Sequence, residues 1–198
     1  NIWIGWSTSS ANAMARCVAS RSTMPGRDQA WYFGPVRPSA SKAAERQRIK
    51  DTYLKPGPQR PATTARGVHH VALLSSNVER TVRFYQGVLE FPLIEIFENR
   101  DYRGSNHFFF DIGNGNTLAF FDFPDLGLER YSEVLGGLHH IAISVEPAQW
   151  ARLREKLAAE GVECKLESEV SLYFRDPDGV RLELIADPLG EMYGTTVA

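Results

Sequence analysis

Cysteine is scarce in this chain, with two in 198 residues, Cys17 and Cys164. Two thiols that far apart supply neither a disulfide scaffold nor a cysteine-only zinc site. They fit a reducing compartment, so a cytoplasmic location is expected. No apolar run approaches the ~20 residues a membrane span needs, so no membrane partner is expected. Net charge is also small, −2, which argues against nucleic acid as a partner. Strong compositional bias is missing too: 43% hydrophobic and 23% charged residues describe a chain able to bury a core.

The small net charge conceals a step. Residues 1–66 hold 11 Lys/Arg and 3 Asp/Glu, a local +8, whereas residues 67–198 hold 11 and 21, a local −10. The basic part has three of the four tryptophans, six of the eleven prolines and none of the five histidines. A charge step at Pro56, Pro58 and Pro61 marks a boundary. Segments such as Pro35-Val36-Arg37-Pro38-Ser39-Ala40-Ser41 show neither helical nor strand periodicity, so 1–66 is expected to be a largely irregular N-terminal extension. Residues 41–53 form its one short polar helix. Its Arg- and Ser-rich composition resembles a targeting arm, but an extension of little consequence is the preferred reading. Ile2, Trp3, Ile4 and Trp6 suit docking on the core or on a partner better than disorder.

From Gly67 the chain repeats itself. Gly67-Val68-His69-His70-Val71-Ala72-Leu73-Leu74-Ser75 recurs as Gly137-Leu138-His139-His140-Ile141-Ala142-Ile143-Ser144-Val145, 70 residues on. Each copy reads as a strand and is followed by a helix. In the first, Ser76 and Glu79 form a capping box, and Val78, Val82, Tyr85 and Leu89 make one apolar stripe. In the second, Pro147 opens the helix, Trp150, Leu153 and Leu157 form the stripe, and Gly161 stops it. Strands follow at 93–98, 106–112 and 117–123, then at 163–166, 170–175 and 181–186. The expected architecture is α+β, with paired βαβββ modules (about 67–124 and 137–187) in one domain spanning 67–198.

Strand alternation sends one imidazole of each His-His pair inward, and the repeat makes His70 equivalent to His140. On the final strand, Glu183 shares a face with Arg181 and Ile185. A carboxylate there costs several kcal/mol unless paired or coordinated. Taken singly, each histidine reads better as a hydrogen-bonded structural residue, and Glu183 as a partner of Arg181 or a solvent-facing acid. The repeat symmetry shifts the reading towards two imidazoles and a carboxylate around a divalent metal, with positions left open.

At these residues the chain, from about Gly67 to Asp187, resembles the vicinal oxygen chelate superfamily, which includes glyoxalase I, fosfomycin- and bleomycin-resistance proteins and extradiol dioxygenases. The resemblance is carried by His70, Asn77, Phe84-Tyr85, His140, and Phe174-Arg175-Asp176-Pro177-Asp178-Gly179 followed by Glu183. It implies modules curving a mixed sheet around a metal site, with His70, His140 and Glu183 as ligands and His69 and His139 facing away. It also implies a homodimer and a small-molecule substrate. Glyoxalase-like members have a fourth, acidic ligand on the last strand of the first copy, where this chain has Ala119. A three-ligand site resembles the extradiol and fosfomycin branches more closely.

Tyr173 with the following Phe174–Gly179 stretch (residues 174–179) and Glu183 resembles the end of the extradiol signature, and Thr117-Leu118-Ala119-Phe120 another part of it. The signature's earlier histidine is missing, with Cys164, Lys165 and Leu166 in its place, and Asn116 stands where those enzymes often have His. His107, on a neighbouring strand, is the substitute acid-base residue, or else a surface histidine. Phenylalanines 108–110, 120, 121 and 123 crowd two strands, half of them towards a pocket or all of them core. The favoured function is a dioxygenase-like enzyme with Fe(II), or else Mn(II), acting on a small aromatic or vicinal diol, in which Tyr173 and His107 handle protons. The alternatives are a lyase, isomerase or thiol transferase using Mn(II), Zn(II) or Ni(II) as a Lewis acid, and a non-catalytic binding protein.

Overall fold

Residues 40–197 are described in a computed structural model. Residues 1–39 and 198 lie outside them, and with them Cys17, the Ile2, Trp3, Ile4 and Trp6 group, and most of the extension expected to be irregular. Helix α1 (Ala40–Tyr53) falls within one residue of the expected polar helix, and a 3-10 turn (Gly57–Gln59) follows. Residues 42–53 are exposed, as a helix without an apolar stripe must be.

In the first module, β1 (His70–Ser75) leads into α2 (Val78–Val82), which widens into a π-helical turn (Arg83–Val88). Strands β2 (Leu93–Glu98), β3 (Asn106–Asp111) and β4 (Thr117–Asp122) follow. The sheet order is β1-β4-β3-β2, with β1 parallel to β4 and the other pairs antiparallel. Helix α2 departs from the capping box expected at its start. Asn77 is the N-cap, its Oδ1 accepting from the Arg80 amide at 2.8 Å, and Glu79 pairs instead with Arg83. Ser76 is drawn off because its hydroxyl and amide donate to the carboxylate of Asp178, at 2.6 and 3.0 Å, a charged acceptor from the other module.

The second module repeats the plan with β5 (Ile141–Ser144), α3 (Pro147–Ala159), β6 (Cys164–Leu166), β7 (Ser171–Arg175) and β8 (Arg181–Ile185), in sheet order β5-β8-β7-β6. A small hairpin, β9 (Glu191–Met192) and β10 (Thr195–Thr196), ends the described chain. Pro147 opens α3, and Gly161 leaves it at φ +70°, a left-handed stop that favours glycine. Gly179, at φ +96°, closes the β7–β8 turn, where an added Cβ would meet the Tyr131 carbonyl at 3.4 Å.

Each sheet has one face filled by helices. Phe108, Phe110, Leu118 and Phe120 from the first, and Leu172, Phe174, Leu182 and Leu184 from the second, are buried against Tyr85, Leu89, Trp150, Leu153 and Leu157. Burying each such side chain stabilises by about 1.5–3 kcal/mol. The two modules meet through the helices. Tyr85 stacks on Phe110, its hydroxyl donating across the joint to Asp176 at 3.1 Å, while Phe84 packs near Phe174. Arg152 and Lys156 on α3 hold Glu90. The paired βαβββ modules thus form two four-stranded mixed sheets. Among the described residues β1 pairs only with β4, and β5 only with β8, so both keep an open edge.

Asp176 lies in this joint, accepting from the amides of Asp178 and Val180 at 2.9 and 2.8 Å. Burial, aided by the Asp178 charge and opposed by its hydrogen bonds, raises its carboxyl pKa to about 6. An acid whose pKa is raised on folding carries no cost below its unfolded value, and the full cost once pH exceeds the folded one. Asp176→Asn, which keeps an oxygen for the amides, should therefore gain on the wild type by about 2–3 kcal/mol between pH 4 and pH 7. Urea denaturation at both pH values measures this, and a pH-independent difference would overturn it.

Candidate metal centre

The face of the second sheet that no described helix covers carries the polar residues. Register places Glu183 between Ala142 on β5 and Tyr173 on β7. Glu183 is 6% exposed, and a buried carboxylate must be hydrogen-bonded. Three donors meet that need: Ser171 Oγ at 2.5 Å on Oε1, and Tyr173 Oη at 2.7 Å and His140 Nε2 at 3.1 Å on Oε2. Burial alone would raise its pKa, but the hydrogen bonds from His140, Ser171 and Tyr173 outweigh it and leave the carboxyl below its usual range. The Tyr173 phenol is pushed far up by burial and by its bond to Glu183, so it keeps its proton at neutral pH.

Arg181 is not the partner of Glu183. It is 1% exposed, pairs with Glu133 of the inter-module linker at 2.5 Å, and contacts His139 Nε2 at 3.0 Å. His139 meets His140, Nδ1 to Nδ1, at 2.6 Å. Ser171 and Glu133 are therefore parts of the site that sequence reasoning missed, and Arg181, a candidate partner of Glu183, serves Glu133 and His139 instead. The signal for Ser171 was there: two residues before Tyr173 on one strand, it must share that face. Nothing in the linker's sequence marks Glu133.

The uncovered face of the first sheet is apolar where the second is polar. Ala119 lies opposite Ala72 and Phe109, in the register position that Glu183 holds opposite Ala142 and Tyr173. A methyl group thus stands where a fourth acid would be. Phe108, Phe110 and Phe120 point into the core, whereas Phe109, Phe121 and Phe97 surround His107 on the open side. The His107 ring stacks on Phe121 with centroids 3.8 Å apart, and its Nε2 is buried without a hydrogen-bond partner among the described residues. Burial chiefly, with smaller effects of His70 and Arg100, lowers its pKa and favours the neutral imidazole. His70 is at the end of this face, bonded to His69 at 2.9 Å.

The structure therefore brings His140, Glu183 and Tyr173 together, and places His70 and His107 on the other sheet. Among the described residues, no three His, Cys, Asp or Glu side chains are grouped to hold a metal ion. The donor set on the second module, one imidazole and one low-pKa carboxylate, has the chemistry a divalent cation requires, and two of the three expected ligands. No helix of the described residues is long and apolar enough to cross a membrane.

Comparison with known proteins bears on the same segment. The family model for the Glyoxalase/Bleomycin resistance protein/Dioxygenase superfamily matches residues 67–184. The metallothiol transferase FosB of Shouchella clausii is 32% identical over 133 residues, covering 63% of this chain and 83% of FosB. MhqA of Bacillus subtilis, named for ring-cleaving dioxygenase chemistry, is 28% identical over 139 residues, 66% of this chain and 43% of MhqA, so the chain spans less than half of that relative. The crystal structure of the fosfomycin resistance protein FosX of Listeria monocytogenes with Mn(II) and sulfate aligns at a TM-score of 0.50 and 25% identity, covering 64% of this chain and 96% of FosX.

Ser171 tests the electrostatics of the buried acid and is not itself one of the expected ligands. Ser171→Ala should destabilise the metal-free protein by about 1–3 kcal/mol at pH 7. The lowered carboxyl contributes stability that is lost as pH falls through its folded value, so the penalty should shrink in acid. Denaturation curves at pH 7 and pH 3.5 would show this, and an equal penalty at both would refute it.

Proposed function

We propose, for a chain that belongs to the Glyoxalase/Bleomycin resistance protein/Dioxygenase superfamily, a metal-dependent enzyme of extradiol-dioxygenase type acting on a small aromatic or vicinal-oxygen substrate. One observation carries the reading: an open aromatic face bearing His70, Phe97, His107, Phe109 and Phe121 on one module, and the His140–Glu183–Tyr173 group on the other. The first supplies an apolar wall for a flat substrate, and the second supplies charge and hydrogen bonds.

His70 and the His140–Glu183 pair lie on separate sheets, and both β1 and β5 keep open edges. We propose that two copies exchange modules, so that His140 and Glu183 of one subunit face His70 of the partner subunit. A divalent cation held there, Fe(II) in this reading, would chelate adjacent substrate oxygens and supply the electron-transfer chemistry of ring cleavage. The side chains do the rest. Glu183 stays ionised, with Ser171 still donating to it. Tyr173 keeps its proton and can turn its hydrogen bond from Glu183 to a developing oxyanion. His107, neutral, can take up the proton that a substrate hydroxyl loses. The phenylalanine rings exclude water and orient the substrate plane.

A second reading, a Lewis-acid thiol transferase or lyase with Mn(II), Zn(II) or Ni(II), is supported by the 32% identity to the metallothiol transferase FosB, against 28% to MhqA.

Purification without oxygen, metal analysis and oxygen uptake with a catechol panel should yield bound Fe(II) and catechol-dependent uptake. A metal-loaded protein that consumes no oxygen but joins a thiol to an epoxide would establish the second reading instead. The shared site has its own test. His70→Ala and Glu183→Ala proteins should each be inactive, and mixing them after unfolding and refolding should restore about a quarter of wild-type activity. About half of random dimers are mixed, and each mixed dimer keeps one intact site of two. No recovery would place the ligands within one chain or refute them.

A further inference from the structure

The two His-His pairs match in sequence and differ in wiring. His69 and His70 meet Nδ1 to Nδ1 at 2.9 Å, and His139 and His140 at 2.6 Å. In each contact one ring nitrogen donates and the other accepts. At the second pair the direction is set from outside. A guanidinium can only donate, so the contact of Arg181 with His139 Nε2 at 3.0 Å makes that nitrogen the acceptor. The ring proton of His139 is then on Nδ1 and is donated to Nδ1 of His140. The proton of His140 is left on Nε2, 3.1 Å from Glu183. Arg181 cannot turn away, being 1% exposed and held by Glu133 at 2.5 Å.

In the first module the same strand position carries a different residue. Thr117 stands opposite His70, whereas extending the Ile141–Leu182 register by one residue puts Arg181 opposite His140. Among the described residues the His69 side chain hydrogen-bonds to His70 and to no guanidinium. That pair can run in either direction.

We infer that His139 is a positioning residue: relayed from Arg181, it fixes which nitrogen of His140 carries the proton, and this wiring opposes a cation at His140 Nε2. The inference rests on His140 being a ligand, as proposed above. A cation needs Nε2 bare, so the His140 proton must move to Nδ1, with no change in charge. There it meets the N–H of His139. If His139 shifts its own proton to Nε2, that N–H meets the N–H of Arg181. One hydrogen bond is lost whichever group yields. His70 bears no such cost, so the two histidines are unequal ligands, one ready and one restrained.

Asparagine at 139 reaches His140 but not Arg181, and its amide can turn to present oxygen to a His140 Nδ1–H. The acceptor that Arg181 loses is lost with and without metal, so it lowers stability and not affinity. His139→Asn should therefore bind Co(II) about tenfold more tightly than the wild type, the worth of one neutral hydrogen bond. A merely structural histidine would not give a gain. His69→Asn should bind within about twofold of wild type. The readout is the visible absorption of bound Co(II) in titrations of the metal-free full chain, with thermal melts to check folding. Independently of any metal or variant, long-range proton–nitrogen NMR of the wild type should find the His139 proton on Nδ1 and that of His140 on Nε2. Equal or weaker Co(II) binding by His139→Asn overturns the inference, as does the opposite proton placement. A wild-type chain that takes up no Co(II) overturns the ligand reading itself, and the inference with it.

Discussion

Burial of Tyr85 is the constraint on which the arrangement of the two modules depends. Its ring is fully covered, stacked on the first sheet, and its hydroxyl must find an acceptor in an apolar setting. The acceptor is Asp176, on the turn that closes β7 and β8 of the other module. That turn is the one that aims Arg181 and Glu183 along β8, and its Asp178 also takes the Ser76 and Arg80 side chains. The helix of one module therefore sets the position of the strand end that carries the other module's charge. Because this joint uses the helix-covered faces, no described helix covers either remaining sheet face.

Much of this was readable in the residues. The 70-residue repeat, the apolar stripes of both helices and the alternation of β7 and β8 are local patterns, and local patterns survive folding. The places where reading fell short involve residues distant in sequence. Ser76 has a capping residue's chemistry, but a carboxylate 102 positions away competes for it. Glu183 beside Arg181 suggested a neighbouring pair, yet Arg181 turns to Glu133, and Glu183 to Ser171, Tyr173 and His140. A repeat of matching strands also implied matching histidines. Whether His70 and His140 share one chain's cup depends on which strand edges meet, and no single module's pattern encodes that.

The duplicated modules have diverged in an ordered way. Position by position, Glu183 answers to Ala119 and Tyr173 to Phe109 through their shared register. Ser171, opposite Ile185, answers to His107, opposite Phe121. One copy keeps hydroxyls and a charge on its open face, and the other keeps rings. Polar atoms that would be costly in a symmetrical apolar cleft are thereby gathered on one side, where they satisfy one another.

That partition bears on how such a protein can change over generations. Rings at Phe97, Phe109 and Phe121 lie on strands that share no hydrogen-bond ladder with β7 or β8. Replacements there can reshape the apolar wall without disturbing the donors around Glu183. Mutational effects at separate, non-contacting sites add nearly independently. Ring shape on one face and charge on the other are thus separately variable traits of this fold, and the apolar face can change while the polar half is held constant by its own folding requirements.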